Sequence, residues 1–294
     1  RVVILRNFQP QLSLKYAEKY GITFLIGVPS VMKMLVRAQG RFQADLSSVR
    51  GIVTMGSPFE RADCIKVQET LTPNIFNGYG TFWNTFLRPY DLPEMSGTAG
   101  SSCTDDEVRI VKVREEGKSE PDELAAKDGV EVGEVIIRTP KSSYSYFKNE
   151  EEEKNKFYKG WLYTGDLGTW DKNQYITIAG RKDDMIISGG ENIYPPIIEE
   201  VLNEHPKVHQ SAVAGVPDSL RGEAVVAYIV PEDDSLTVGE IAKFCVHSPM
   251  LSTFKRPRYY KFVKELPMTA TGKLQHYLVK EMAINDLELG MLKL

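Results

Sequence analysis

The first part of the chain alternates short apolar runs with amphipathic stretches. The apolar runs at residues 2–5, 22–28 and 52–55 predict strands. Between them, apolar side chains recur at helical spacing from Leu12 and again from Val31. Because parallel strands need long crossover connections, this order predicts a parallel sheet built from β-α-β units.

From Thr104 onward the apolar positions change to a period that is typical of strands. Residues 108–113 and 135–139 are rich in β-branched side chains, which predicts an antiparallel region. The acidic run at residues 150–153 is predicted to be a solvated loop, and its spacing offers no metal site.

A short hairpin is predicted next, with the turn Asp171–Gln174 between Trp170 and Tyr175. Because side chains alternate faces with period two, this pairing places Asp166 and Arg181 on the same face, roughly 7–8 Å apart. A carboxylate acceptor and a guanidinium donor at that separation can hold a sugar with two hydroxyls. Taken singly, Asp166 reads as a turn or cap residue and Arg181 as a strand-end cation.

Beyond Asp183 the pattern predicts a mixed α+β region. A helix begins at Pro195 and Pro196, which suit a first helical turn. Thr237 and Glu240 form a capping-box signature for another helix. The remaining apolar runs predict strands at residues 212–216, 224–230 and 259–263.

Composition narrows the class of protein without deciding its function. The chain has 294 residues, 42% of them hydrophobic, which is enough for a sizeable core and about two domains. Its net charge of −4 and its dispersed Lys and Arg residues favour neither a nucleic-acid interface nor a polybasic membrane anchor. Its apolar runs are too short for a transmembrane segment. The three cysteines have no ligand-like spacing, which predicts reduced thiols and a cytoplasmic location.

Four phrases resemble motifs of the adenylate-forming superfamily, which includes the acyl-CoA synthetases, the luciferases and the adenylation domains of peptide synthetases. They lie at residues 163–166, 180–184, 189–195 and 267–273. The resemblance covers about residues 20 to 280 and excludes the family's upstream phosphate loop, which is rich in Ser, Thr and Gly. Since the chain also begins at Arg1, we expect it to be the C-terminal portion of a longer protein.

The resemblance implies an α/β fold in three parts. A partial parallel β-α-β sheet and an antiparallel, barrel-like region form the C-terminal part of a large domain over residues 1–182. A smaller, mobile α+β domain over residues 183–294 carries the catalytic lysine. The implied substrates are ATP, CoA and a small-molecule carboxylic acid, with Mg²⁺ as cofactor. A homo-oligomer is possible under this interpretation.

The reaction implied by the resemblance is that of an AMP-forming acyl-CoA synthetase, an enzyme of fatty acid metabolism. The acid itself is not specified by the sequence, and the 294 residues alone are expected to be inactive. Two alternatives stay open. One is a non-catalytic nucleotide-binding homologue, and the other is an adenylation enzyme that loads the pantetheine of a carrier protein.

Residue roles follow from motif position. Lys273 matches the catalytic lysine, at the tip of a Thr-Gly-Lys turn. Asp166 and Arg181 match the pair that holds the ribose, in agreement with the hairpin geometry. Asp183 matches the hinge, and Gly189 with Gly190 match the strand that lets the thiol pass.

Two upstream loops match those that hold the adenine, with Tyr79 offering a ring face for stacking. The matching residues are Gly56, Ser57, Pro58, Gly78, Tyr79 and Gly80. Shortly after them the chain departs from the family, which has Thr and Glu where this chain has Phe82 and Trp83. These aromatic side chains cannot replace a hydroxyl and a metal-binding carboxylate, so they are predicted to line an acyl pocket or to pack in the core. Either Asn84 and Thr85 take over the polar roles, or metal handling is altered or lost.

Overall fold

The computed structural model describes residues 2–57, 59–81, 83–114, 117–141, 148–269 and 272–292. They form two compact units. Unit 1 comprises residues 1–164 and 168–178, and unit 2 comprises residues 165–167 and 179–294. The division therefore runs through one hairpin, and the domain boundary at residues 182 and 183 stays a prediction. No helix in the described ranges is both long and apolar enough to cross a membrane.

Unit 1 begins with a five-stranded sheet, sheet A, in the order β1-β2-β3-β4-β5. The first three strands are parallel and the last two are antiparallel, which confirms the predicted β-α-β units. The strands are β1 (Phe24–Gly27), β2 (Gly51–Met55), β3 (Ile75–Tyr79), β4 (Thr85–Leu87) and β5 (Ser101–Ser102). The helices are α1 (Pro10–Tyr20), α2 (Pro29–Phe42) and α3 (Arg61–Thr70), and a 3-10 turn spans Pro89–Asp91.

The helices of unit 1 pack their apolar stripes into one core with sheet A. Leu14, Met32 and Cys64 from the helices meet Ile52 and Ile75 from the strands in this core. Each of α1 and α2 has a proline in its first turn, where the missing N–H costs nothing.

The strand predicted over residues 2–5 is not formed, so that prediction was wrong. Val2 is 83% exposed and Ile4 is 86% exposed. A strand needs a neighbouring strand for its backbone hydrogen bonds, and sheet A ends at β1 without pairing to this segment.

Edge strand β1 exposes apolar side chains. Phe24 is 47% exposed and Ile26 is 71% exposed. Unpaired edges and exposed apolar side chains favour association in general, and the predicted homo-oligomer stays a prediction.

A second sheet, sheet B, has the order β10-β9-β7-β6, with β8 paired to β9. It is the predicted antiparallel, barrel-like region, and the fold class as a whole is confirmed. Its strands are β6 (Glu107–Lys112), β7 (Gly133–Arg138), β8 (Phe157–Tyr158), β9 (Trp161–Trp170) and β10 (Ile176–Arg181).

The acidic run at residues 150–153 is helical, which corrects the predicted loop. It lies in α4 (Glu150–Lys156). The side chain of Asn149 caps the helix by accepting a hydrogen bond from the Glu152 N–H. Acidic residues in the first turn and lysines in the last turn interact favourably with the helix dipole. The acidic run therefore stabilises the start of a helix.

Unit 2 contains a third sheet, sheet C, in the order β12-β11-β14-β13, with β15 paired to β14 in parallel. Its strands are β11 (Ile186–Ser188), β12 (Glu191–Ile193), β13 (Val208–Asp218), β14 (Gly222–Pro231) and β15 (Tyr259–Phe262). Its helices are α5 (Pro195–Asn203), α6 (Val238–His247) and α7 (His276–Glu288). The predicted cap of α6 is present, since the Glu240 N–H donates to Thr237 Oγ1 at 3.2 Å.

The two faces of sheet C pack against different helices. Val213 and its same-face neighbours share a core with Ile198 of α5 and Ile241 of α6. Ala212 and Ala214, on the other face of β13, share a second core with Val279 of α7 and its neighbours. Sequence reasoning missed α7, although Val279, Met282, Ala283 and Leu287 have helical spacing.

Candidate functional site

The hairpin of β9 and β10 brings Asp166 and Arg181 into direct contact. Its turn is closed by the Asp171 N–H, which donates to the Tyr175 carbonyl at 3.1 Å. Arg181 Nη1 lies 2.9 Å from Asp166 Oδ1, so both side chains lie on one face as predicted. The Asp166 side chain is 18% exposed and that of Arg181 is 46% exposed, so a solute can reach the pair.

The negative charges of nearby carboxylates stabilise the cationic form of Arg181. Burial lowers the pKa of its guanidinium, but the charges of Asp166, Asp183 and Asp184 outweigh this effect and the net pKa is raised. Arg181 is therefore a permanent cation that can donate to a ligand hydroxyl.

The predicted hinge residue Asp183 is exposed in the turn after β10. This turn is held by the Asp184 N–H, which donates to the Arg181 carbonyl at 3.3 Å. Burial raises the pKa of the Asp184 carboxyl, although the charges of His276 and Arg181 partly offset that rise. The hinge role of Asp183 stays a prediction.

The predicted thiol-passage glycines form the exposed turn between β11 and β12. Both have positive φ angles, 61° for Gly189 and 84° for Gly190, which other residues rarely adopt. A Cβ atom on Gly189 would lie 3.0 Å from the Phe254 ring, whereas one on Gly190 would meet no atom within 4 Å. Gly189 therefore has a packing reason to be glycine in addition to its predicted role.

Lys273 extends from a loop that is closed by its own backbone. The Thr269 N–H donates to the Lys273 carbonyl at 2.8 Å, and the Lys273 N–H donates to Thr269 Oγ1 at 3.0 Å. The Gln275 N–H donates to the Pro267 carbonyl at 3.0 Å. The side chain of Lys273 is exposed, as expected for an ammonium group that meets a ligand.

Sequence reasoning missed two residues beside this loop. His276 Nε2 lies 2.9 Å from Glu199 Oε1, although 77 residues separate them in the chain. The one feature of the sequence that could have indicated this pair is that His276 lies three residues after Lys273.

In unit 1 the two predicted adenine loops lie side by side, because they follow adjacent parallel strands. Met55, the last residue of β2, pairs with Gly78 of β3. Gly56 and Ser57 therefore follow β2 next to the segment Gly78–Gly80. Pro58, predicted for the same loop, lies outside the described residues.

Tyr79 and Gly80 also have structural roles that the sequence did not reveal. Tyr79 packs against a core cluster that includes Ile110 and Ile137, so part of its ring is covered within unit 1. Gly80 has a φ of 95°, and a Cβ atom there would lie 2.5 Å from Asn84 Oδ1. Their contribution to adenine binding stays a prediction.

Trp83 is 39% exposed and stacks on Phe86, with ring centroids 5.5 Å apart. Its neighbour Phe82 lies outside the described residues. Asn84 and Thr85 are both fully buried, and the Thr85 hydroxyl donates to the Ala99 carbonyl at 2.6 Å. A buried hydroxyl with this partner is not placed to contact a phosphate or a metal ion.

The described residues contain no cluster of side chains that could hold a metal ion without a ligand. They contain no group of three or more His, Cys, Asp or Glu side chains that could bind one. Trp83, at the position where the family has a metal-binding carboxylate, offers no oxygen ligand. We therefore assign no residue of this chain to magnesium.

Two known protein families match this chain, one within unit 1 and the other within unit 2. Residues 1–147 match the family model of the AMP-binding enzymes, and residues 197–273 match that of the AMP-binding enzyme C-terminal domain. The chain belongs to the AMP-binding enzymes. The recognition made from the four motifs is thereby confirmed.

Among the relatives of this AMP-binding enzyme is the long-chain-fatty-acid–CoA ligase of Yersinia pestis, 32% identical over 94% of this chain and 47% of the relative. The indoleacetate–CoA ligase of Aromatoleum aromaticum is 32% identical over 96% of this chain and 54% of the relative. A similar solved structure is the o-succinylbenzoate CoA synthetase of Bacillus subtilis in complex with its acyl-adenylate intermediate. Its TM-score is 0.80 at 28% identity, over 93% of this chain and 54% of that one. The chain thus spans about half the length of the curated relatives it matches.

Proposed function

We propose that this chain forms part of an AMP-forming acyl-CoA ligase, which joins a carboxylic acid to CoA at the expense of ATP. The observation that best supports this proposal is the contact between Asp166 and Arg181 on one face of the β9–β10 hairpin. An anionic acceptor beside a permanent donor suits the two adjacent hydroxyls of a ribose.

The proposed reaction has two steps. In the first, a carboxylate oxygen attacks the α-phosphorus of ATP, and the bond to pyrophosphate breaks. In the second, the CoA sulfur attacks the acyl carbon and AMP leaves with the bonding electrons. The first step gathers negative charge around phosphorus, so it needs cations already in place.

The roles of the individual residues are also proposals. Lys273, exposed on its closed loop, supplies the cation for the first step. Asp166 and Arg181 hold the ribose, and the loops at residues 56–58 and 78–80 contact the adenine. Asp183 is the hinge, and Gly189 with Gly190 border the path of the thiol. Trp83, stacked on Phe86, lines the acyl pocket.

The proposed substrates are ATP, CoA and a small-molecule carboxylic acid. The named relatives act on a long-chain fatty acid and on indoleacetate, so the acid could be aliphatic or aromatic. Since these relatives are CoA ligases, CoA is proposed as the acceptor in preference to a carrier-protein pantetheine. Fatty acid metabolism, a cytoplasmic location, self-association and a requirement for Mg²⁺ complete the proposal.

The test is a pyrophosphate-release assay on the protein at its natural full length, with ATP, Mg²⁺, CoA and a panel of acids. Aromatic, short, medium and long acids are supplied separately. Release with at least one acid, together with a matching thioester in the products, supports a ligase. Pyrophosphate release at the same rate with and without every acid would contradict the proposal.

A second candidate is a protein that binds nucleotide without turnover. It is favoured by Trp83, which stands where the family has a carboxylate ligand of the metal. Under this hypothesis, calorimetry detects binding of ATP or AMP while every acid in the panel fails to release pyrophosphate.

One variant tests the predicted thiol path. Gly189→Ala should lower thioester formation about tenfold or more and leave adenylate formation unchanged, because the added methyl group would lie 3.0 Å from the Phe254 ring and displace it beside the proposed path of the thiol. The positive φ also strains the new side chain, by roughly 1–2 kcal/mol. Stopped-flow assays of the separate half-reactions measure both effects.

Gly239→Ala is the matched control, since a Cβ atom at Gly239 in α6 would meet no atom within 4 Å. It should leave both half-reactions at the wild-type rate. An equal loss of both half-reactions in Gly189→Ala would show that the turn does not serve the thiol step.

A further inference from the structure

A buried carboxylate joins two helices of unit 2 around strand β13. Glu199 of α5 is 8% exposed. Its Oε1 atom accepts the Val213 N–H at 2.8 Å and lies 2.9 Å from His276 Nε2 at the start of α7. The core on one face of β13 contains α5, and the core on the other contains α7. The Glu199–His276 contact therefore ties the two layers together at an end strand of sheet C.

His276 also lies next to the loop that carries Lys273. The downstream end of that loop is closed by the Gln275 N–H, which donates to the Pro267 carbonyl, and His276 follows immediately. Gln275, the N-cap of α7, makes no side-chain cap with the described residues. The side chain of His276 thus anchors the start of α7 to the rest of unit 2 by a polar contact.

The charges around His276 favour its imidazolium form. Burial lowers the pKa of His276 and the charge of Lys273 opposes protonation too. The hydrogen bond and charge of Glu199, with the charge of Asp184, outweigh both, so the net pKa lies above its ordinary value. A cation in the first turn of α7 is disfavoured by the helix dipole, and the two carboxylates offset this cost.

The direction of the pH dependence follows from this raised pKa. The stability contributed by the charged pair is fully present below the ordinary pKa of histidine. It is lost as the pH rises through the raised pKa of the folded protein.

We propose that His276 is a positioning residue for Lys273, held by Glu199 so that the start of α7 fixes the loop that bears the lysine. His276 acts through this loop and touches no substrate. The inference rests on the proposed function, because it takes adenylate formation to be the step that needs Lys273.

The kinetic test uses the protein at its natural full length. His276→Ala should lower kcat for adenylate formation by about 10-fold to 10²-fold, the usual range for a misplaced catalytic group, with the KM for ATP unchanged. Thiol transfer from a supplied acyl-adenylate should keep its wild-type rate. An equal loss in both half-reactions would overturn the proposal.

Two further variants separate positioning from general damage. His276→Arg keeps a cation and hydrogen-bond donors toward Glu199, so it should restore adenylate formation and retain it as the pH rises through the raised pKa of His276, where the wild type declines. His205→Ala is the matched control, since His205 is a buried histidine that also lies near a glutamate, 3.8 Å from Glu240. It should lower Tm without changing the ratio of the two half-reaction rates. Failure of His276→Arg to restore the rate would contradict the proposal.

A second measurement does not depend on activity. Amide hydrogen exchange of the 294-residue chain reports the N–H groups of Lys273 and Gln275, which donate to Thr269 and Pro267. Their protection should fall at least tenfold in His276→Ala and stay at the wild-type level in His276→Arg, while Val226 in β14 is unaffected. Unchanged protection in His276→Ala would overturn the proposal. If the wild-type protein releases no pyrophosphate while His276→Ala still loses this protection, the proposed function is contradicted and the positioning of the loop is not.

Discussion

Lys273→Ala should lower the rate of adenylate formation by roughly 10²–10³-fold, the usual cost of losing one charge partner of a transition state. The lysine lies exposed on a loop closed between Pro267 and Gln275, so its loss removes an ammonium group without disturbing a core. Thiol transfer from a supplied acyl-adenylate should be nearly unchanged, because that step does not add charge at phosphorus. Rapid-quench assays of each half-reaction in the protein at its natural full length provide the measurement.

Lys243→Ala provides the control for this prediction. Lys243 is an exposed lysine on α6, so its removal changes the net charge by the same amount. It should leave both half-reactions unchanged. If Lys273→Ala slowed both half-reactions to the same extent, the lysine would not have the proposed role.

Asp166→Asn should weaken AMP binding by about 10-fold to 10²-fold, since a hydrogen bond to a charged group contributes about 1.5–3 kcal/mol. The variant keeps the size of the side chain but removes its negative charge, which makes it a weaker acceptor for a ribose hydroxyl and for Arg181 Nη1, 2.9 Å away. Calorimetric titration with AMP measures the loss.

A ligand without ribose hydroxyls makes this test specific. Wild-type protein should prefer AMP over 2′,3′-dideoxy-AMP by a similar factor, and Asp166→Asn should lose most of that preference. Glu120→Gln, which breaks the exposed Lys159–Glu120 ion pair at 2.6 Å, should bind both ligands as the wild type does. Equal weakening for both ligands in Asp166→Asn would argue against the ribose role.

Short-range features of this protein were predictable because they depend on neighbouring residues. The alternation of strand side chains placed Asp166 and Arg181 on one face, and a turn of fixed length determined which positions oppose each other. The Thr237 cap and the proline-rich start of α5 are equally local. The motifs that identified the family lie within runs of four to seven residues, so they too were readable from the chain.

Features that depend on distant partners were not predictable in this way. Residues 2–5 have the composition of a strand but lack a neighbouring strand. Thr85 reads as a polar substitute near the phosphates, yet its hydroxyl is buried against Ala99.

The contact between Glu199 and His276 shows the same division most clearly. Local sequence specified that Glu199 lies on a helix and that Lys273 lies in a turn. Folding brought His276 against a carboxylate 77 residues away, because β13 packs α5 on one face and α7 on the other. The pattern of neighbouring residues selects helix, strand and turn, whereas burial of the apolar faces selects which of these elements meet.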